Sequence, residues 1–175
     1  MPVKLQGATA LRKALAKVEP NLAKETNKEI ASFLKPVVSK ARGYLLSNEA
    51  IPSGWLKRPN AGGRWATRSY DYQEARKGIT FKSTPSKPNR RGFQALASIF
   101  NKSAAGAIYE TAGRKSGVVG KFTPKLGGQL VGEGQKMTGR SIFRAFEEDR
   151  GKAQDGVVRA IEKAAAKFDS MKDKV

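Results

Sequence analysis

Leu11, Leu15, Val18, Leu22, Ile30, Leu34, Val37, Ala41 and Leu45 recur at steps of three, four or eight. That spacing places side chains on one face of a helix. It predicts a helical N-terminal segment over residues 1–47, with Thr9 as its N-cap and Pro20 opening a second helical piece, where proline's missing N–H is harmless. Pro36 lies inside FLKPVVSKAR and predicts a kink, since an interior proline removes a hydrogen bond at about 3 kcal/mol if nothing compensates. The stripe is thin, and Glu19, Glu25 and Glu29 dilute the basic face, which argues against a helix lying on a membrane surface.

The pattern changes over 48–112. In IPSGWLKRPNAGGRWATRSYDYQEARKG, Trp55, Trp65, Tyr70 and Tyr72 alternate with Lys57, Arg58, Arg64, Arg68 and Arg76. Rings that stack on bases beside cations that hold phosphates suit single-stranded nucleic acid. The preferred reading is that the tryptophans anchor a loop onto the core or a neighbouring subunit, because aromatic anchors also dominate protein interfaces. GITFKST (78–84) and FQALASIFNK (93–102) read as strands. PSKPNRRG, with Arg90 and Arg91, joins them as a long hairpin tip or arm, and so short a connection implies an antiparallel pair. Ala104, Ala105, Ala107 and Ile108 predict a short helix ended by Gly113 at C′, with a strand as the alternative.

Residues 113–139 hold eight of the 18 glycines and predict an adaptable arm, in which LGGQLVG could pair as an edge strand. Removing 117–137 should therefore spare folding. Residues 140–175 read as a C-terminal helix with Val157, Ile161, Ala164, Phe168 and Met171 on one face. Gly151 and Gly156 weaken its first turns by up to about 1 kcal/mol each. The expected fold is α+β: a small antiparallel sheet flanked by a long kinked N-terminal helix and a C-terminal helix, with long basic loops, in a single domain over 1–175.

Composition makes that domain look incomplete. Leu, Ile, Val and Phe supply only 36 of 175 residues and the formal charge is +19, near the composition at which chains stop folding independently. A folded centre with segments that order against a partner is expected. The charge is also unevenly placed: 54–140 contains seventeen basic residues against four acidic ones, whereas 141–175 has eight against seven. Such a concentration favours nucleic acid or an acidic protein surface.

There is no cysteine and no histidine. This excludes a disulfide framework, a zinc site built on thiolate or imidazole, and the commonest general base. The N-terminus lacks the apolar run of a signal peptide, and no stretch approaches 18 apolar residues, so a soluble protein made or assembled in the cytoplasm is expected.

GAIYETAGRKSG (106–117) invites a phosphate-binding reading, but the registers fail. A P-loop needs glycine five residues before its Gly-Lys and a hydroxyl after it; around Gly120–Lys121 those positions hold Lys115 and Phe122. Gly132 and Gly134 are followed by Met137 where a dinucleotide fingerprint needs its third glycine. Glu147, Glu148 and Asp149 are consecutive, so on a helix they fan out as a solvated face. Glu110 is the isolated carboxylate in an apolar setting, and Arg114, four residues on, is its expected partner. No catalytic residue, cofactor or metal site is nominated. Glu110, Gly113 and Arg114 read as a structural corner.

The order of motifs carries a resemblance. LRKALAKVEPNLAKETNKEIASFLKPVVSKAR, a Trp- and Arg-rich segment, ARKGITF, AAGAIYETAGRKS and GRSIFRAFEE follow one another along the chain. This order resembles the head–tail connector or tail-completion proteins, the small neck proteins of long-tailed, non-contractile bacteriophages. The most telling elements are LKPVVSKAR, AIYETAGRKS and GRSIFRAF. The resemblance implies a non-enzymatic virion subunit with an α+β fold, assembled in the bacterial host. It implies a homo-oligomeric ring of six or twelve copies between the portal-bound adaptor and the tail tube or its terminator. Trp55, Lys57, Arg58, Arg64, Trp65, Arg68, Arg90, Arg91, Lys121 and Lys125 are the candidates to face those partners or the passing double-stranded DNA, whose phosphates they would contact without reading bases. The alternative is a free-standing basic nucleic-acid-binding protein.

Overall fold

The computed structural model describes residues 7–58, 68–114, 123–127, 130–133 and 137–172. The fold is α+β, and the chain groups into two compact units that interleave in sequence. The first comprises Met1–Pro36, Phe81–Ser98 and Gly151–Val175; the second comprises Val37–Thr80 and Ile99–Arg150.

Helix α1 spans Ala8–Val18 and α2 spans Pro20–Gly43. Thr9 is not the cap: α1 starts behind Gly7, whose φ of 78° puts it in the left-handed region that glycine tolerates best, and among the described residues no side chain caps the helix. Pro20 opens α2 as expected, and α2 continues through Pro36. Leu15, Leu22, Ile30, Leu34, Val37, Ala41 and Leu45 are buried, as the stripe predicts, but Val18 is 61% exposed. Val18 ends α1, and the non-helical Glu19 resets the phase of the stripe before α2.

In the first unit Leu15 and Leu22 pack with Ala164 of helix α6 (Lys152–Lys172), and Leu11, Ala23 and Phe168 close around them. Burying Leu15 and Leu22 is worth about 1.5–3 kcal/mol each. Gly156 does more than weaken α6: the Phe33 ring lies where its Cβ would be, so the close approach of α2 requires glycine. Lys163–Glu29 at 3.1 Å and Lys167–Glu25 at 3.3 Å are exposed ion pairs of small value.

Strands β1 (Ile79–Lys82) and β2 (Ser98–Asn101) are shorter than the predicted segments. Around them run bonds from Lys102 N to Gly78 O at 2.9 Å, Ser86 N to Ala95 O at 2.8 Å and Asn89 N to Phe93 O at 2.9 Å. Partner numbers that converge in this way make an antiparallel hairpin. Its tip is closed by Asn89, whose Oδ1 accepts from the backbone N–H of Arg91 and Phe93, both at 2.9 Å.

The second unit places helix α3 (Tyr72–Gly78) against helix α4 (Ala104–Thr111). Asp71 caps α3 by accepting from Glu74 N at 2.8 Å, the sequence signature D-x-x-E at work. Ser103 caps α4, and Gly113, at φ 85°, is its C′ glycine as predicted. Strand β3 (Val131–Glu133) pairs antiparallel with β4 (Met137–Gly139), Val131 facing Gly139, and both pack on helix α5 (Ile142–Glu148).

The described parts of 113–139 therefore belong to the second unit's fold. Leu126 is wholly buried, so 117–137 is not a dispensable arm; 115–122, 128–129 and 134–136 lie outside the described residues. Nor is 140–175 one helix. Arg150 at φ 52° and Gly151 at φ 80° are successive left-handed residues, which end α5 before α6 begins. Val157, Ile161 and Ala164 are buried, while Met171 near the end of α6 is exposed. Among the described residues no helix is long and apolar enough to cross a membrane.

Candidate functional site

The residues that carry the motifs meet at a buried corner of the second unit. Glu110, in the last turn of α4, is 5% exposed. Its Oε2 accepts from Ser141 N at 2.8 Å, from Ser141 Oγ and from Ile142 N at 3.1 Å, and its Oε1 accepts from Phe143 N at 2.9 Å. These are the free N–H groups that open α5, and a carboxylate there also meets the positive end of the helix dipole. Glu110 thus caps α5 from another element, 31 residues away in sequence.

Arg140 makes the reciprocal contact. It is also 5% exposed. Its Nη1 donates to Tyr109 O at 3.0 Å and Ala112 O at 2.6 Å, and its Nε donates to Gly127 O at 3.2 Å. Two of those carbonyls lie at the C-terminal end of α4, where acceptors are otherwise unfilled. Burial pushes the guanidinium pKa down, and Tyr109 and Glu110 oppose that shift. Gly139 precedes Arg140 because a Cβ there would collide with the Glu110 carboxylate and with Phe143.

The predicted Glu110–Arg114 pair is not what forms. Among the described residues the two make no ion pair: Arg114 Nε donates to Thr138 O at 2.5 Å, and its guanidinium lies 4.9 Å from the Phe143 ring centre. The physical reason is that the α5 N–H groups are already aimed at Glu110, whereas an arginine one turn away must lose side-chain freedom to reach it. Chemically the corner holds two elements together; its carboxylate and its guanidinium are enclosed by their partners.

Trp55 sits where the preferred reading puts it. Its indole N–H donates to Arg68 O at 2.7 Å, its ring lies 5.0 Å from Tyr70, and Tyr70 N donates to Trp55 O at 2.7 Å. Tyr70 continues inward, donating to Leu46 O at 2.6 Å beside Tyr109. This anchorage brings Lys57 and Arg68 onto one loop base, and the exposed Lys57 pairs with Glu74. Arg58, Arg68 and Lys125 are also exposed in the second unit, whereas the exposed Arg90 and Arg91 belong to the hairpin tip of the first. Arg64, Trp65 and Lys121 lie outside the described residues.

Sequence reasoning missed Arg140 and Glu148. Glu148 does not merely face solvent: it accepts from Lys40 Nζ at 2.7 Å, Arg144 Nε at 3.1 Å and the Tyr44 hydroxyl. Those bonds, Lys40's first, hold its pKa down at about 2. The bond to Glu148 pushes the Tyr44 hydroxyl up. The readable signal was the four-residue spacing of Lys40 and Tyr44, the second lying just past the end of α2. Among the described residues no group of three acidic side chains is arranged to hold a metal ion. No family model matches this chain, and neither does any curated protein or solved structure.

Proposed function

We propose that this chain is a non-enzymatic structural subunit of a phage virion, forming a ring at the head–tail junction that joins the portal or its adaptor to the tail tube and lets DNA pass. One observation carries the reading beyond the order of motifs. AIYETAGRKS and GRSIFRAF interlock: Glu110 of the first caps the helix of the second, and Arg140 of the second closes the helix of the first. The residues that carry the resemblance are used to hold a scaffold together, which supports a shared assembly role rather than a reaction. The exposed cations Arg58, Arg68, Arg90, Arg91 and Lys125 suit acidic neighbours or DNA phosphates met without base recognition.

The test is removal of this chain from the phage that encodes it, followed by electron microscopy. Unjoined filled heads and finished tails are expected, with the restored subunit located at the neck. Fully joined virions in its absence would overturn the proposal. The runner-up, a free-standing nucleic-acid-binding protein, draws on the same exposed cations. It predicts tight DNA binding by the isolated monomer that falls steeply with salt.

A further inference from the structure

A pocket of about 350 Å³ opens in the first unit, between α1, the start of α2 and the base of the hairpin tip. That is the lower end of the volume range of small-ligand sites, room for one or two side chains. Its lining includes Leu15, Ala16, Pro85 and Pro88, and three cations, Arg12, Lys13 and Lys87, with no carboxylate.

Arg12 is the unusual member. It is only 8% exposed, yet its partners are all neutral: Leu96 O at 2.7 Å, Asn27 Oδ1 and Ser83 O. Among the described residues no carboxylate pairs with it. A buried charge without a countercharge is costly, and a hydrogen bond to an ionised acceptor is about twice as strong as one to a neutral acceptor. Among the described residues Arg12 makes three bonds, two of them from Nη2, which leaves Nε–H and one Nη1–H of its five N–H groups. Lys13 and Lys87 are exposed at the same pocket, also without an acidic partner among the described residues.

We infer that this pocket receives an acidic side chain flanked by apolar residues, presented by an acidic partner protein, with Arg12 as its inner anchor and Lys13 and Lys87 at the rim. Leu15, Ala16, Pro85 and Pro88 give the apolar neighbours of such a carboxylate a surface to bury against, a gain that a bare anion held by the same cations would not have. The chain's own charge of +19 makes a second copy the poorer source, since like-charged surfaces repel. This inference goes beyond the ring proposal and does not depend on it.

The experiment is an amide-resolved NMR titration of the full chain with acetyl-Leu-Glu-Leu-amide and its glutamine counterpart. Shifts confined to residues 9–16, 23–27 and 84–88 are expected with the glutamate peptide, saturating in the millimolar range, and at least fivefold weaker binding with glutamine. Ala16→Phe, which fills the mouth from an exposed position and removes no hydrogen bond, should abolish binding with the rest of the spectrum intact. Lys13→Ala with Lys87→Ala should weaken it at least fivefold. Equal binding of the two peptides would overturn the inference, as would shifts scattered over the basic surface. Inorganic phosphate or hexanoate saturating the same amides while the peptide does not would assign the pocket to a small anion instead. Concentration-dependent shifts there without any probe would assign it to a second copy, and either result removes the acidic partner.

Discussion

Replacing Glu110 by alanine tests the buried corner most directly. The wild-type carboxylate accepts three backbone N–H groups of the first turn of α5 and the Ser141 hydroxyl. Hydrogen bonds to a charged group contribute about 1.5–3 kcal/mol each when measured singly, and an N-cap contributes about 0.5–2 kcal/mol. The four bonds are not additive, because they share two oxygens and one helix end. Ser141 is 1% exposed, so water does not readily take the vacated place. Losing the cap and leaving buried donors unmatched should together cost about 3–5 kcal/mol, a large part of a typical total of about 5–15 kcal/mol.

At about 2–4 °C per kcal/mol for a chain of this size, the midpoint should fall on the order of 10 °C. Glu110→Gln keeps one acceptor oxygen but sets an amide N–H₂ against N–H donors, so it should fall between wild type and alanine. Urea melts followed by circular dichroism give the free energies, provided the slopes agree. Hydrogen exchange at Ser141, Ile142 and Phe143 locates the loss. A Glu110→Ala protein within about 0.5 kcal/mol of wild type, the scale of an ordinary surface substitution, would refute the reasoning, as would unchanged protection at those three amides.

Gly139→Ala should destabilise by about 1–3 kcal/mol through overpacking against Glu110 and Phe143, read by the same melts. Gly156→Ala should also destabilise, although alanine favours the helix by about 1 kcal/mol, because its methyl group enters the space of the Phe33 ring; a higher melting midpoint would show that the ring yields freely. The pH dependence of Glu148 has a defined sign. Its folded pKa of about 2 lies below the ordinary 4.5, so its stabilising contribution is full above about pH 4.5 and disappears as pH falls towards 2. The stability gap between wild type and Glu148→Gln should narrow across that window and stay constant above it. Excising 117–137 removes the fully buried Leu126 and strand β3, so the product should lose the cooperative unfolding of the second unit by calorimetry.

Local rules of the chain were readable from the sequence, and contacts across it were not. The helix faces were legible because periodicity acts within a few turns: Leu15, Leu22, Ile30, Leu34 and Val37 are buried as their spacing requires. Gly113 was legible for the same reason, since a C′ glycine is determined by the helix that it ends. Val18 was misplaced because it ends α1 and the non-helical Glu19 resets the phase of the stripe; Met171 lies in the last turn of α6, and spacing alone does not say how far along a helix the covered face extends. The split of 140–175 into two helices rests on Arg150 and Gly151 both adopting positive φ. Gly151 permits that, but nothing in the sequence made an arginine the expected companion.

The corner shows why the site itself was only half legible. An isolated glutamate in an apolar run signals that something must satisfy it, and that expectation for Glu110 was sound. Its nearest candidate, Arg114, was preferred because sequence offers only neighbours at i+3 and i+4. The partner that forms is instead the start of a helix 31 residues on, whose donors are fixed by the backbone and need no side chain ordered to reach the carboxylate. Once Glu110 occupies that end, a Cβ at position 139 has no room, and Arg140 falls beside the carbonyls that close α4. Glycine, arginine and serine at 139–141 are therefore three consequences of one long-range contact. A chain that kept the glutamate but lost the Gly-Arg-Ser step would have to rebuild both helix ends, so the two motifs should be retained or lost together.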